Sequence, residues 1–121
     1  MTASADLPAL RQRFAADMTR GVRQLAALGY DAKLFAQMLA EHGAEEAARR
    51  LVMTRVPSYG LWRLKELGKL AMSVEMWVLL PWYEPLFEPE VRQRAEDKLE
   101  LLGVEVPDEL ARLVRRLDPE W

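Results

Sequence analysis

Residue type approaches chemistry at two isolated places in this chain. The single histidine, His42, stands in Glu41-His42-Gly43-Ala44-Glu45-Glu46. An imidazole flanked by carboxylates there has the makings of a metal ligand or a general base. A zinc site needs three or four ligands, and one histidine beside a helix-breaking glycine supplies a poor start. In the last turn of a helix the same residue meets the negative end of the helix dipole, and this structural reading is preferred. The second place is Glu75, a carboxylate among Met72, Val74, Met76 and Trp77. Apolar surroundings raise a carboxyl pKa and suit it to acid or base work. No second carboxylate stands close in sequence, so Glu75 reads as first-turn charge, with an added bond to backbone or to an arginine.

Ser4, Ser58 and Ser73 offer no nucleophile elbow. The six glycines are spread as helix stops rather than gathered into a phosphate loop. With no cysteine there are no thiolate nucleophiles, Cys-type zinc sites or disulfides, and a reducing cytoplasm is the natural setting. The expectation is a chain that is not an enzyme and takes no cofactor or metal.

Binding residues are more numerous. Arg13, Arg20 and Arg23 fall on the polar side of the first helix, opposite its leucines. With Arg49, Arg50, Arg55, Arg63, Lys65 and Lys69 they would make a nucleic-acid surface, Trp62 or Tyr59 stacking on bases. The balancing view is a solvated face with acidic neighbours. Trp62, Trp77, Trp82 and Tyr83 would instead line a small-molecule pocket or a partner groove. Trp77 reads as core, Trp82 is less comfortable in a core beside its proline, and Trp121 is exposed or docked on another helix. The candidate interface is therefore Trp82, Tyr83, Trp62 and Trp121.

The elements that would position these residues follow from composition and periodicity. At 121 residues, half of them hydrophobic and 30% charged, the chain fits one domain. Such a chain buries roughly 65% of its unfolded surface. Residues 1–5 read as a disordered tail and 6–121 as a single helical domain. The longest apolar run, Met76 to Trp82, is far short of the roughly 18 residues a membrane span needs. The net charge of −2 hides a split, with residues 1–70 carrying +4 and 71–121 carrying −6. That contrast suggests attraction within the fold or between copies, hence a homodimer; for nucleic acid the overall balance is discouraging.

Helix punctuation is frequent. Asp6 with Pro8 opens a first helix whose stripe is Leu7, Leu10, Phe14, Met18, Val22, Leu25 and Leu28, closed by Gly29. Asp31 opens a second (Leu34, Phe35, Met38, Leu39) that ends at Gly43. Glu45 and Glu46 begin a third, with Arg49 and Arg50 in its last turns. Pro57-Ser58 opens a fourth that stops at Gly68, and Ser73 caps a fifth from Val74 to about Leu80. Glu88-Pro89-Glu90 starts a sixth that stops at Gly103, and Pro107-Asp108-Glu109 a seventh that stops at Asp118-Pro119. No period-two alternation between hairpin turns occurs. The prediction is all-α, a compact bundle of about seven helices with the first longest.

Gly29-Tyr30, Phe35, Met38-Leu39, His42-Gly43, Gly60-Leu61, Leu64, Ser73-Val74-Glu75, Val78-Leu79, Tyr83 and Leu86-Phe87 together resemble a small uncharacterised bacterial all-helical domain family. Its pattern is a Gly-Tyr helix start, F-x-x-M-L, a Gly-Leu turn, S-V-E and Y-x-x-L-F, and it covers about residues 11–103. These are apolar and turn positions, so the resemblance implies a fold and no active site. Lys69-Leu70-Ala71-Met72 departs from the family's usual acidic residue beside the leucine, and the helix of about 107–117 lies outside the match. The favoured expectation is a non-catalytic module for protein–protein contact or self-association, working through the first helix and the Trp82-Tyr83 corner. An accessory nucleic-acid-binding domain is the alternative, and a small-ligand-sensing helical domain the third reading.

Overall fold

The computed structural model describes residues 7–30, 32–54 and 59–118. The expected tail at 1–5, the caps at Asp6 and Asp31, the Pro57-Ser58 start and Pro119 lie outside them. Among the described residues the chain is all-helical and forms a compact bundle. Its helices are α1 (Leu7–Ala27), α2 (Lys33–His42), α3 (Ala44–Val52), α4 (Tyr59–Glu66), α5 (Val74–Val78), α6 (Pro89–Leu101) and α7 (Val106–Leu117). Two 3-10 segments, Leu70–Met72 and Pro81–Leu86, flank α5. No helix among the described residues is long and apolar enough to cross a membrane.

The glycine stops act through backbone geometry. Gly29 and Gly68 take φ of +87° and +69°, a left-handed conformation that costs glycine nothing and a side-chained residue about 1–2 kcal/mol. The chain then doubles back, so that Tyr30 N–H bonds Leu25 C=O at 2.8 Å and Lys69 N–H bonds Leu64 C=O at 2.8 Å. These six-to-one bonds satisfy carbonyls that the helix ends would otherwise strand.

At α5 the sequence reading needs shortening. Ser73 caps it as expected, its Oγ accepting from Met76 N–H at 3.1 Å, but the α-helix stops at Val78 rather than Leu80. Pro81 has no N–H to offer the Trp77 carbonyl. Leu79 and Leu80 therefore bond three residues back, to Met76 and Trp77, at 3.1 and 3.2 Å. Pro85, four residues after Pro81, likewise forbids an α-turn, and Pro81–Leu86 coils as 3-10.

The core forms around that segment. Phe14 of α1 meets Tyr83 and Phe87 edge-on, with ring centroids 4.9 and 5.1 Å apart, the arrangement favoured by ring quadrupoles. Ala47, Ala48 and Val52 bury one face of α3, while Val91, Ala95 and Leu99 bury one face of α6. The α1 stripe is buried at Phe14, Met18 and Leu25. Leu28, expected on that stripe, is 57% exposed, because it follows the last helical turn where the chain is already leaving the bundle. Leu34, in the first turn of α2, is 69% exposed, and α2 buries no residue fully.

Candidate functional site

The C-terminal half of α1, the start of α2, the inner face of α4, the Leu70–Met72 segment and the end of α7 enclose a cleft of about 930 Å³. Its floor is apolar and buried, with Met18 and Leu25 from α1 and Leu61 and Leu64 from α4. Trp77 of α5 walls one side, oriented by its indole N–H donating to the Ala71 carbonyl at 2.8 Å. Leu28, Leu34 and Leu117 stand around the opening, the last 38% exposed. A single exposed leucine is ordinary on a protein surface. Three at one opening, above an apolar floor, form the kind of continuous patch that marks an interaction site.

Charge around the cleft is mostly positive. Arg20, Lys33, Lys69 and Arg116 line it. The acids are Asp17, which Arg20 meets at 3.0 Å and to which the Tyr83 hydroxyl donates, and Glu75. Burial first, and the Asp17 hydrogen bond next, push the Tyr83 phenol well above its ordinary value.

Glu75 is buried, as is Lys98 of α6, and the two face each other at 3.7 Å. Burial raises the Glu75 pKa and lowers that of Lys98, with the opposite charge of the partner counteracting each shift. Lys98 Nζ also donates to the Leu51 carbonyl at 2.9 Å and to Thr54 Oγ1 at 2.7 Å. Glu75 therefore pairs with a lysine where an arginine was expected, a backbone hydrogen bond also favours its charged form as expected, and the lysine ties α6 to α3 and α5. Sequence reasoning passed over Lys98. Its signal was spacing, since Lys98 falls seven residues after Val91 and three after Ala95, on the buried stripe of α6.

The predicted binding residues do not gather. Trp82 is 7% exposed and Tyr83 is fully buried. The expectation that this corner offers a partner an outer surface is corrected, because the 3-10 coil turns both rings inward against α1. Trp62 is 45% exposed on α4, with Lys65 Nζ 5.5 Å from its ring centre. Trp121 lies outside the described residues.

The arginines are largely committed within the molecule. The Arg13 guanidinium stacks 4.9 Å from the Trp82 ring centre, and Arg20 holds Asp17. Arg49 is half-buried and bridges Glu46 at 2.9 Å, Glu88 at 3.0 Å and the Leu86 carbonyl at 3.2 Å. Arg50 holds Glu46 at 2.9 Å, and hydrogen bonds from Arg50 and then Arg49 keep that carboxyl below its usual range. Arg23 is exposed, and Arg55 is outside the described residues. His42 sits at the end of α2, 3.7 Å from Glu41, and among the described residues no three His, Cys, Asp or Glu cluster as metal ligands do.

Comparison of the chain with family models, with curated proteins and with solved structures returns no match.

Proposed function

We propose that this protein is a non-catalytic helical interaction module of the bacterial cytoplasm, and that it receives an amphipathic helix of another protein in the α1–α2–α4 cleft. The observation that carries the reading is the cleft itself: a buried apolar floor with Leu28, Leu34 and Leu117 exposed at its rim. Helix-in-groove recognition needs such a floor for anchors spaced three and four residues apart. The groups that type and spacing single out for chemistry are otherwise engaged. Glu75 is sealed against Lys98, and His42 lies on the surface away from the cleft lining. In this reading the contact surface is the cleft, to which the C-terminal half of α1 contributes, rather than the Trp82-Tyr83 corner.

The test is selection of displayed helical peptides against the folded protein. Recovered sequences should carry apolar residues at helical spacing. Their binding should weaken about tenfold in a Leu28→Gln/Leu34→Gln variant, since covering even one exposed leucine with a partner is worth about 1.5 kcal/mol. Recovery of no peptide, or peptides indifferent to both changes, overturns the reading.

A further inference from the structure

Resting on the reading that a partner helix seats in the cleft, we propose that this partner is acidic, an amphipathic helix whose apolar stripe is flanked by Asp and Glu. Charge at the rim is complementary to such a flank. Among the charged residues lining the cleft, Arg20 is matched by Asp17 and Lys33 has an interaction of its own, which leaves Lys69 and Arg116 to set the charge of the rim against the acids Asp17 and Glu75. Neither acid presents an unbalanced charge to the opening. Asp17 is bridged by Arg20 and receives the Tyr83 hydroxyl, and Glu75 is sealed beside Lys98. Lys69 and Arg116, by contrast, are exposed.

The two cations come from separate elements. Lys69 follows the Gly68 stop of α4, and Arg116 lies in the last turn of α7 beside the rim residue Leu117. A helix laid on the apolar floor would thus pass positive charge contributed by more than one wall. An acidic flank gains attraction there and a basic flank meets repulsion, which fixes orientation and excludes wrong partners. The whole chain is weakly acidic, at −2, so the preference is a property of this rim and not of bulk charge.

Three synthetic peptides of about 18 residues, long enough to hold a helix, share one apolar stripe and differ in flanks: Glu/Asp, Gln/Ser or Lys/Arg. Binding to the full chain is followed by fluorescence anisotropy at low and high salt. The acidic peptide is expected to bind roughly tenfold tighter than the basic one at low salt, with the gap closing as salt screens the rim. A Lys69→Glu/Arg116→Glu variant, its fold checked by circular dichroism, should abolish or invert the preference and leave the neutral peptide's affinity unchanged.

Equal binding of all three, or tightest binding of the basic peptide, overturns the acidic assignment while the cleft reading stands. Binding of none overturns both. A concentration-dependent dimer from which no peptide displaces the second copy also overturns the assignment, since the occupant is then this chain itself.

Discussion

Lys98 Nζ lies 3.7 Å from a Glu75 carboxylate oxygen, with both side chains almost wholly out of solvent. The pair joins α6 to α5, and through the Leu51 carbonyl and Thr54 hydroxyl it also fastens the end of α3. A buried pair of this kind gains little over a well-packed apolar pair, because desolvation offsets attraction, yet breaking it strands a charge. Lys98→Met should therefore cost about 3–5 kcal/mol at neutral pH. Adding Glu75→Gln should recover a large part of that loss. Urea denaturation of the two variants and the parent measures both steps, and a double variant no more stable than Lys98→Met would show that the cost lies in the lost bonds to Leu51 and Thr54.

The same pair sets a pH dependence. Burial raises the Glu75 pKa in the folded chain, so the folded state holds that proton more tightly than the unfolded state. The favourable contribution is complete below the ordinary carboxyl value of 4.5 and is lost as pH rises toward the raised folded value. Removing the counter-charge with Lys98→Met widens that window. The stability deficit of Lys98→Met should then be smaller at about pH 5 than at about pH 7.5, measured against the parent at each pH. A deficit that grows on acidification would contradict the assignment.

Arg92 of α6 closes the C-terminal end of α5. Its guanidinium donates to the carbonyls of Val78 at 2.9 Å and Leu79 at 3.2 Å, which Pro81 leaves without a continuing helix, and at 3.5 Å to that of Leu80, which Tyr83 N–H also reaches at 3.0 Å. Burial lowers the Arg92 pKa, which is the electrostatic cost of placing a cation there. Lysine keeps the charge but presents a point donor instead of a planar fork. Arg92→Lys should destabilise by about 1–3 kcal/mol, the penalty for buried carbonyls left unsatisfied, and thermal unfolding followed at 222 nm would register it. An unchanged midpoint would mean that water takes over the Val78 and Leu79 carbonyls.

Much of this architecture is written locally. Ser73 three residues before Met76 is a readable cap, and Gly29 and Gly68 announce their helix ends because left-handed backbone favours glycine so strongly. The aromatic corner is where local reading fails. A proline beside Trp82 argues for a surface bend, whereas Pro81 and Pro85 together enforce a tight coil whose Tyr83 ring packs on Phe14 and whose Trp82 ring meets Tyr83. Lys98 looks solvated among Glu96, Asp97 and Glu100, and only its place on the Val91–Ala95 stripe betrays burial. The cleft has no local signature at all. Its floor is assembled from α1 and α4 and its rim from α1, α2 and α7, so it exists only once those helices are packed.

Tyr83 tests the claim that the corner is interior. Its hydroxyl donates to Asp17, an acid also held by Arg20. Tyr83→Phe keeps the ring against Phe14 and removes only that donor, so the expected loss is about 1.5–3 kcal/mol, the range for a hydrogen bond to a charged group. Tyr83→Ala also opens a cavity in the core and should cost at least about 3 kcal/mol. If both substitutions were equally mild in chemical denaturation, the ring would have to be packed at a surface rather than inside.

The rim leucines separate stability from recognition. Leu34 is 69% exposed, so its side chain stays in water on folding and contributes little to holding the bundle together. Leu34→Gln should leave stability within about 0.5 kcal/mol of the parent. Leu61, on the cleft floor and 2% exposed, is packed in the core, and Leu61→Ala should cost about 2–5 kcal/mol. An apolar side chain that gives the fold nothing yet stands over an apolar floor is suited to contact with something outside the chain. Denaturant midpoints decide the matter: a Leu34→Gln loss above about 1 kcal/mol would make that leucine part of the packed structure, and the cleft would lose one wall of its opening.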